Sequence, residues 1–200
     1  MESHKVTDTL DSIPLFPLSS VVLPGGRIPL QLFEPRYLDM LARCMREDRG
    51  FVVLLLREGR ETGGGATFHD IGTYVRIIDF QQLDNGLLGI TAEGQWKVAI
   101  RRHWLAPDGL NWGEAEALPF EAEDAIPAAR SELASVLRAL LKHPVVNNLA
   151  MKVDFSSARE VGWRLIELLP LDRPEKQRLL ELQDPLERLD RLQALLDAME

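Results

Sequence analysis

Apolar residues recur with a period of two through most of positions 13–120 and with helical spacing beyond them. The first segment, IPLFPL at 13–18, alternates large apolar side chains with prolines. Proline donates nothing to a ladder, so this reads as an edge strand or the start of a strand. In VVLPGG, Pro24 fixes φ while Gly25 and Gly26 tolerate positive φ, which predicts a turn. RIPLQLF (27–33) resumes a strand with Ile28, Leu30 and Leu32 on one face. EPRYLDMLARCMRED then takes helical spacing, with Tyr37, Leu38, Leu41 and Met45 in register and Pro35 in the first turn. FVVLLLRE (51–58) is apolar on both faces and predicts a central strand covered on both sides. GRETGGGATFHD (59–70) has the composition of a flexible loop. Strands are predicted over 71–83, 87–94, 95–105 and 109–120, with Asp84-Asn85-Gly86 turning the first pair into a hairpin. Gly25 and Gly94 fall where strands stop or reverse, so both are expected at backbone positions with special demands, turn geometry or close approach.

The pattern changes at Pro119. Helical periodicity covers 126–143, 156–169, 174–183 and 185–199. Ser157-Ala-Arg-Glu160 and Asp184-Pro-Leu-Glu187 match the capping box, which satisfies orphan N–H groups at a helix start. Leu186, Leu189, Leu192, Leu195, Leu196 and Met199 form one stripe along the last helix. The expected architecture is α+β with segregated elements: a flexible N-terminus over 1–12, a β-rich module with an early helix over 13–120, and an α-helical domain over 121–200.

Charge narrows the function classes. Net charge is −8, with 12 Lys+Arg against 16 Asp+Glu in residues 1–120 and 11 against 15 in residues 121–200. Neither part offers the basic footprint that a phosphate backbone requires, which argues against nucleic acid as a partner. The longest apolar run, at 51–56, is far too short to span a bilayer. The polar N-terminus has no apolar signal core, and the single cysteine, Cys44, precludes an internal disulfide framework. These features point to a reducing compartment, read as the cytoplasm.

Catalytic signatures are missing where chemistry would need them. Gly63-Gly64-Gly65 and Gly25-Gly26 lack the Lys-Ser/Thr of a phosphate loop and the spacing of a dinucleotide fingerprint. No two of His4, His69, His103 and His143 lie at i, i+4, so no helix-borne metal pair exists. His69-Asp70 has no nucleophile nearby in sequence, and Cys44 reads as a packed thiol despite Arg43 and Arg46 beside it. The five lysines stand in no recognisable nucleophile setting. No catalytic residue, cofactor or metal is expected, and the chain is read as a non-enzyme.

Residues 13–45, IPLFPLSSVVLPGGRIPLQLFEPRYLDMLARCM, resemble the start of the Lon protease N-terminal domain family, above all its short stand-alone bacterial forms. The shared motifs are Pro-Leu-Phe-Pro-Leu at 14–18, Leu-Pro-Gly at 23–25, Ile-Pro-Leu at 28–30 and Phe-Glu-Pro-Arg-Tyr at 33–37. The similarity continues through 71–98 and into the helical tail at 165–189. The resemblance implies a PUA-like β-barrel module followed by an α-helical bundle. It also implies recognition of unfolded or partner polypeptides, in association with a protease or chaperone. The ATPase and Ser-Lys protease motifs of those enzymes are absent from these 200 residues, so no peptidase activity is expected. The punctuation of 22–37 reads mainly as architecture. A peptide-binding groove is expected near Phe33, Arg36, Tyr37 and Trp96, between barrel and bundle. Two other readings stay open: a small-molecule site in that cleft, and RNA binding by analogy with other PUA-like modules. Oligomeric state is not specified by the sequence.

Overall fold

The computed structural model describes residues 9–61, 66–147 and 153–199. The chain forms two compact units, Met1–Pro119 and Phe120–Glu200.

Among its described residues the first unit holds seven strands and one helix in the order β1 (Thr9–Leu18), β2 (Arg27–Leu32), α1 (Pro35–Arg46), β3 (Phe51–Glu58), β4 (Thr67–Phe68), β5 (Ile71–Gln82), β6 (Leu88–Leu105) and β7 (Asn111–Ala117). The sheet runs β1-β7-β6-β5-β3, and β1 also pairs with β3 in parallel, so the pairing closes on itself. β1 is therefore not an edge strand. Its prolines are tolerated because each lies where the strand has one neighbour. Pro14 faces Trp112 of β7 before the β3 pairing begins at Leu15, and Pro17 faces Leu54 of β3 after the β7 pairing ends at Leu15. β1 also starts earlier than expected: Thr9 and Leu10 pair with Glu116 and Ala115 ahead of a bulge, at which Ser12 takes a φ of 59°. The expected flexible N-terminus thus loses its last residues to a strand, and positions 1–8 lie outside the described residues.

Each face of the sheet carries a core, as strand alternation requires. Val52 and Leu54 of β3 join Ile13, Leu15, Tyr74, Val98 and Ile100 on one side. Phe51 and Val53 join Phe16, Leu18, Val75 and the buried face of α1 on the other. That α1 face is Tyr37, Met40, Leu41 and Cys44, an i, i+3, i+4, i+7 set. The expected stripe was rotated by part of a turn, since Leu38 and Met45 are exposed.

Residues 87–94 and 95–105 form one strand, β6, and not two. Gly94 does not reverse the chain. It makes room for the 23–26 turn: Gly25 N–H donates to Gly94 O at 2.7 Å and Gly94 N–H to Gly26 O at 2.9 Å. A Cβ on Gly94 would stand 2.2 Å from Leu23 O. Gly25 itself has φ 70°, the left-handed conformation that the turn needs. The 59–70 segment contains the short β4, paired with β3; its residues 62–65 lie outside the described residues.

The second unit contains a 3-10 turn at Ala128–Arg130 and helices α2 (Ser131–Leu141), α3 (Pro144–Asn147), α4 (Ala158–Leu168), α5 (Arg173–Glu181) and α6 (Pro185–Asp197). Ser157 caps α4 by accepting from Glu160 N–H, Asp172 caps α5 through Glu175 N–H, and Asp184 caps α6 through Leu186 N–H. Asp184 therefore binds the second helical amide, not the third that the capping-box reading implied. Leu189 and Leu192 of α6 are fully buried, but Met199, beyond the helix end, is half exposed, so the expected stripe is buried only through its centre.

A charged side chain completes the second unit's interior. Arg188 has no exposed surface, and Nη1 and Nη2 donate to the Glu121 carboxylate at 2.8 and 2.5 Å. Its remaining donors reach Leu179 O at 3.1 Å and Leu182 O at 2.6 Å, and its guanidinium lies 3.5 Å from the centre of the Trp163 ring. Paired, hydrogen-bonded and stacked, this arginine meets the conditions under which a charge is tolerated away from water.

Candidate binding groove

The four residues expected to form a binding site sit in different environments. Phe33 is 56% exposed just before α1. Arg36 is buried: Nη1 donates to Gly109 O at 2.6 Å, Nη2 pairs with Glu34 at 2.8 Å, and the guanidinium lies 4.6 Å from the Tyr37 ring centre. Tyr37 is buried edge-on against Phe16, with ring centroids 4.2 Å apart, and burial raises its pKa. Trp96 packs with the opposite core, stacked on Tyr74 at 4.6 Å. Arg36 and Tyr37 thus tie the start of α1 to the 106–109 turn and to β1, and the structure does not bring Trp96 to them.

A concave surface forms elsewhere on the same unit, where α1 ends beside β5. The two edges of β5 are paired unequally. Its ladder with β6 continues to Gln82, whereas its ladder with β3 ends at Val75. From Arg76 to Gln82 the second edge has no strand partner among the described residues. Beside this edge lies a groove of about 240 Å³, lined by Cys44, Met45, Asp48, Arg49 and residues Arg76 to Phe80. Met45, Ile78 and Phe80 are 47%, 44% and 58% exposed, which places three large apolar side chains in water along one groove.

Polar contacts hold the groove's walls. Asp48 has φ 47°, a conformation aspartate tolerates better than most residues. Arg76 fixes it there, donating from Nη1 to Asp48 O at 3.1 Å and pairing through Nη2 with its carboxylate. Arg49 donates to Ser12 O at 2.8 Å and pairs with Glu47 at 3.3 Å. The helix end, the turn after it and the start of the open β5 edge are therefore joined by side chains. At the groove floor, burial pushes the Cys44 thiol up to about 11, against an ordinary 9.0, and its Sγ lies 3.5 Å from Gly50 O. That is an inert, packed thiol. Among the described residues no group of three His, Cys, Asp or Glu side chains could hold a metal ion. Asp70 lies 3.8 Å from Arg57, and His103 packs against Phe68.

Sequence reasoning missed Met45, Ile78 and Phe80 as a group. The available signal was length: β5 spans 12 residues and its neighbour β3 only 8, so part of β5 must outrun that partner.

Comparison with known proteins places this architecture. Residues 12–198 match the family model described as the ATP-dependent protease La (LON) substrate-binding domain. A Lon protease of Phenylobacterium zucineum is 25% identical over 192 residues, covering 93% of this chain and 24% of that protein. Cereblon of Danio rerio is 27% identical over 116 residues, covering 56% of this chain and 26% of that protein. The chain spans about a quarter of the length of these curated relatives. A Lon N-terminal domain protein from Xanthomonas campestris superposes with a TM-score of 0.79 at 35% identity, over 92% of this chain and 98% of that one. The N-terminal domain of a Mycobacterium avium complex Lon protease shares the fold, with a TM-score of 0.65 at 19% identity, over 91% and 96% of the two chains. No helix among the described residues is long and apolar enough to cross a membrane. The chain belongs to the Lon substrate-binding domain family.

Proposed function

We propose that this chain is a non-enzymatic recognition module that binds polypeptides, unfolded segments above all, in the cytoplasm and in the service of a protease or chaperone. The family model is described as a substrate-binding domain, and this reading carries that role to the chain itself. The observation that supports it best is the α1–β5 groove, where Met45, Ile78 and Phe80 stand exposed around a fixed frame. Apolar side chains held at a concavity are how proteins bind extended segments without base or phosphate contacts. The sheet that closes through β1 is read here as the PUA-like barrel, and the helices of 120–200 as the bundle that follows it. Catalysis has no place in this reading: Cys44 is buried and protonated, and the molecule works by exposing surface.

The test is binding of fluorescein-labelled, carboxymethylated α-lactalbumin, a permanently unfolded polypeptide, followed by polarisation. Saturable binding that native α-lactalbumin does not compete away supports the reading. Equal binding of native and unfolded forms, or none, refutes it.

A further inference from the structure

We infer that the groove takes its polypeptide as an added β-strand, paired with the open edge of β5 from Arg76 to Gln82, and that the preferred segment is extended, free of acidic residues and apolar at alternate positions. This deepens the polypeptide-binding reading and rests on it.

Four observations lead there. First, the open edge presents backbone donors and acceptors beside the exposed apolar side chains, so the site suits an occupant with its own amide backbone. Phe80 N–H donates to the neighbouring Asp79 carboxylate at 2.9 Å, a local acceptor that an incoming carbonyl can replace. Second, the two outer edges of this region are treated differently. β2 pairs only with β6, and its other edge carries Pro29, which blunts strand addition. The β5 edge from 76 to 82 carries no proline; its ladder to β6 is interrupted by a bulge between Ile77 and Asp79. Third, both arginines of the groove are paired internally: Asp48 pairs with Arg76 and Arg49 with Glu47. An acidic segment would find both arginines engaged and the Asp79 carboxylate beside them, whereas a neutral one meets Met45, Ile78 and Phe80. Fourth, about 240 Å³ lies below the usual range of small-molecule pockets, about 300–1,000 Å³, but accommodates the side chains on one face of a short strand.

Strand pairing fixes what the bound segment must look like. Side chains alternate between the groove and water, so apolar residues are needed only at every second position. Its backbone amides alternate likewise between β5 and solvent, so blocking one set of amides abolishes pairing and blocking the other set leaves it intact.

The experiment has two readouts on the wild-type chain. Amide hydrogen exchange is followed with and without saturating carboxymethylated α-lactalbumin. A decapeptide of alternating valine and threonine, flanked by lysines, then competes in three forms: unmodified, N-methylated at even positions and N-methylated at odd positions. The inference requires new protection within Arg76–Gln82 and at least a tenfold loss of competition for one methylated form only. The variants Met45→Ser and Phe80→Ser, checked for an unchanged melting temperature, should each weaken binding several-fold. If unfolded polypeptide binds but protection appears outside 76–82, or both methylated forms compete like the parent, the strand-addition inference is overturned while polypeptide binding stands. If no polypeptide binds, both fall.

Discussion

Replacing Arg188 by methionine removes a side chain with no exposed surface and leaves the Glu121 carboxylate, whose side chain is 4% exposed, without its guanidinium. The change deletes two charge-assisted bonds to Glu121, two bonds to the carbonyls of Leu179 and Leu182, and the stack on Trp163. Breaking one partner of a buried ion pair costs about 3–5 kcal/mol, mostly because the survivor stays buried and uncompensated. In a chain of 200 residues that corresponds to a melting temperature lower by about 6–20 °C. The double variant Glu121→Leu/Arg188→Met removes both charges and keeps the volume filled, so it should recover most of the loss. Differential scanning calorimetry and urea unfolding of wild type, both single variants and the double variant give the coupling energy directly. A single variant within about 1 kcal/mol of wild type, or a double variant as unstable as the sum of the singles, refutes the claim that this pair is coupled and desolvated.

Gly94→Val drives a Cβ to within 2.2 Å of Leu23 O and breaks two backbone bonds to the 23–26 turn, so urea unfolding should show a loss of about 1–3 kcal/mol; an unchanged midpoint contradicts the docking of that turn. Cys44, with its thiol at about 11, should react with iodoacetamide at pH 8 about a hundredfold more slowly than an ordinary cysteine; its contribution to stability holds below about pH 9 and is lost as pH rises through about 11, and rapid alkylation of the native chain contradicts this burial. Truncation before Asp184 removes Arg188, Leu189 and Leu192 together, so the shortened chain should aggregate or unfold without cooperativity, and a soluble product with an unchanged melt counts against the packing of α6. Purified chain incubated with casein and ATP should release neither phosphate nor fragments; turnover that survives repurification refutes the non-enzymatic reading.

Element order and type were legible in the chain because local rules decided them: Pro35 at the start of α1, Ser157 and Asp184 at helix caps, the Asn85-Gly86 hairpin and the doubly apolar β3. What escaped depends on partners distant in sequence. The special demand at Gly94 was legible, but nothing local names Leu23 as the residue that approaches it or shows that the strand runs on through it. The prolines of β1 signalled a missing neighbour, but only the offset ladders to β7 and β3 show that the strand is paired on both sides in turn. Phe33, Arg36 and Tyr37 were adjacent in sequence and suggested one surface, yet the bond from Arg36 to Gly109 and the Phe16 contact turn two of them inward. Nothing in the sequence singled out Arg188, because its partner Glu121 lies 67 residues away. The groove combines both difficulties: it exists because one ladder of β5 stops at Val75, and no residue in 76–82 announces where β3 will end.

The central claim is that polypeptides dock beside β5. The most direct measurement is photo-crosslinking with benzoylphenylalanine placed at Phe80, with Leu105, equally exposed at the other end of β6, as the control position. The account predicts that carboxymethylated α-lactalbumin crosslinks efficiently from position 80 and not from position 105. Equal yields from the two positions, or crosslinks from position 105 alone, contradict it.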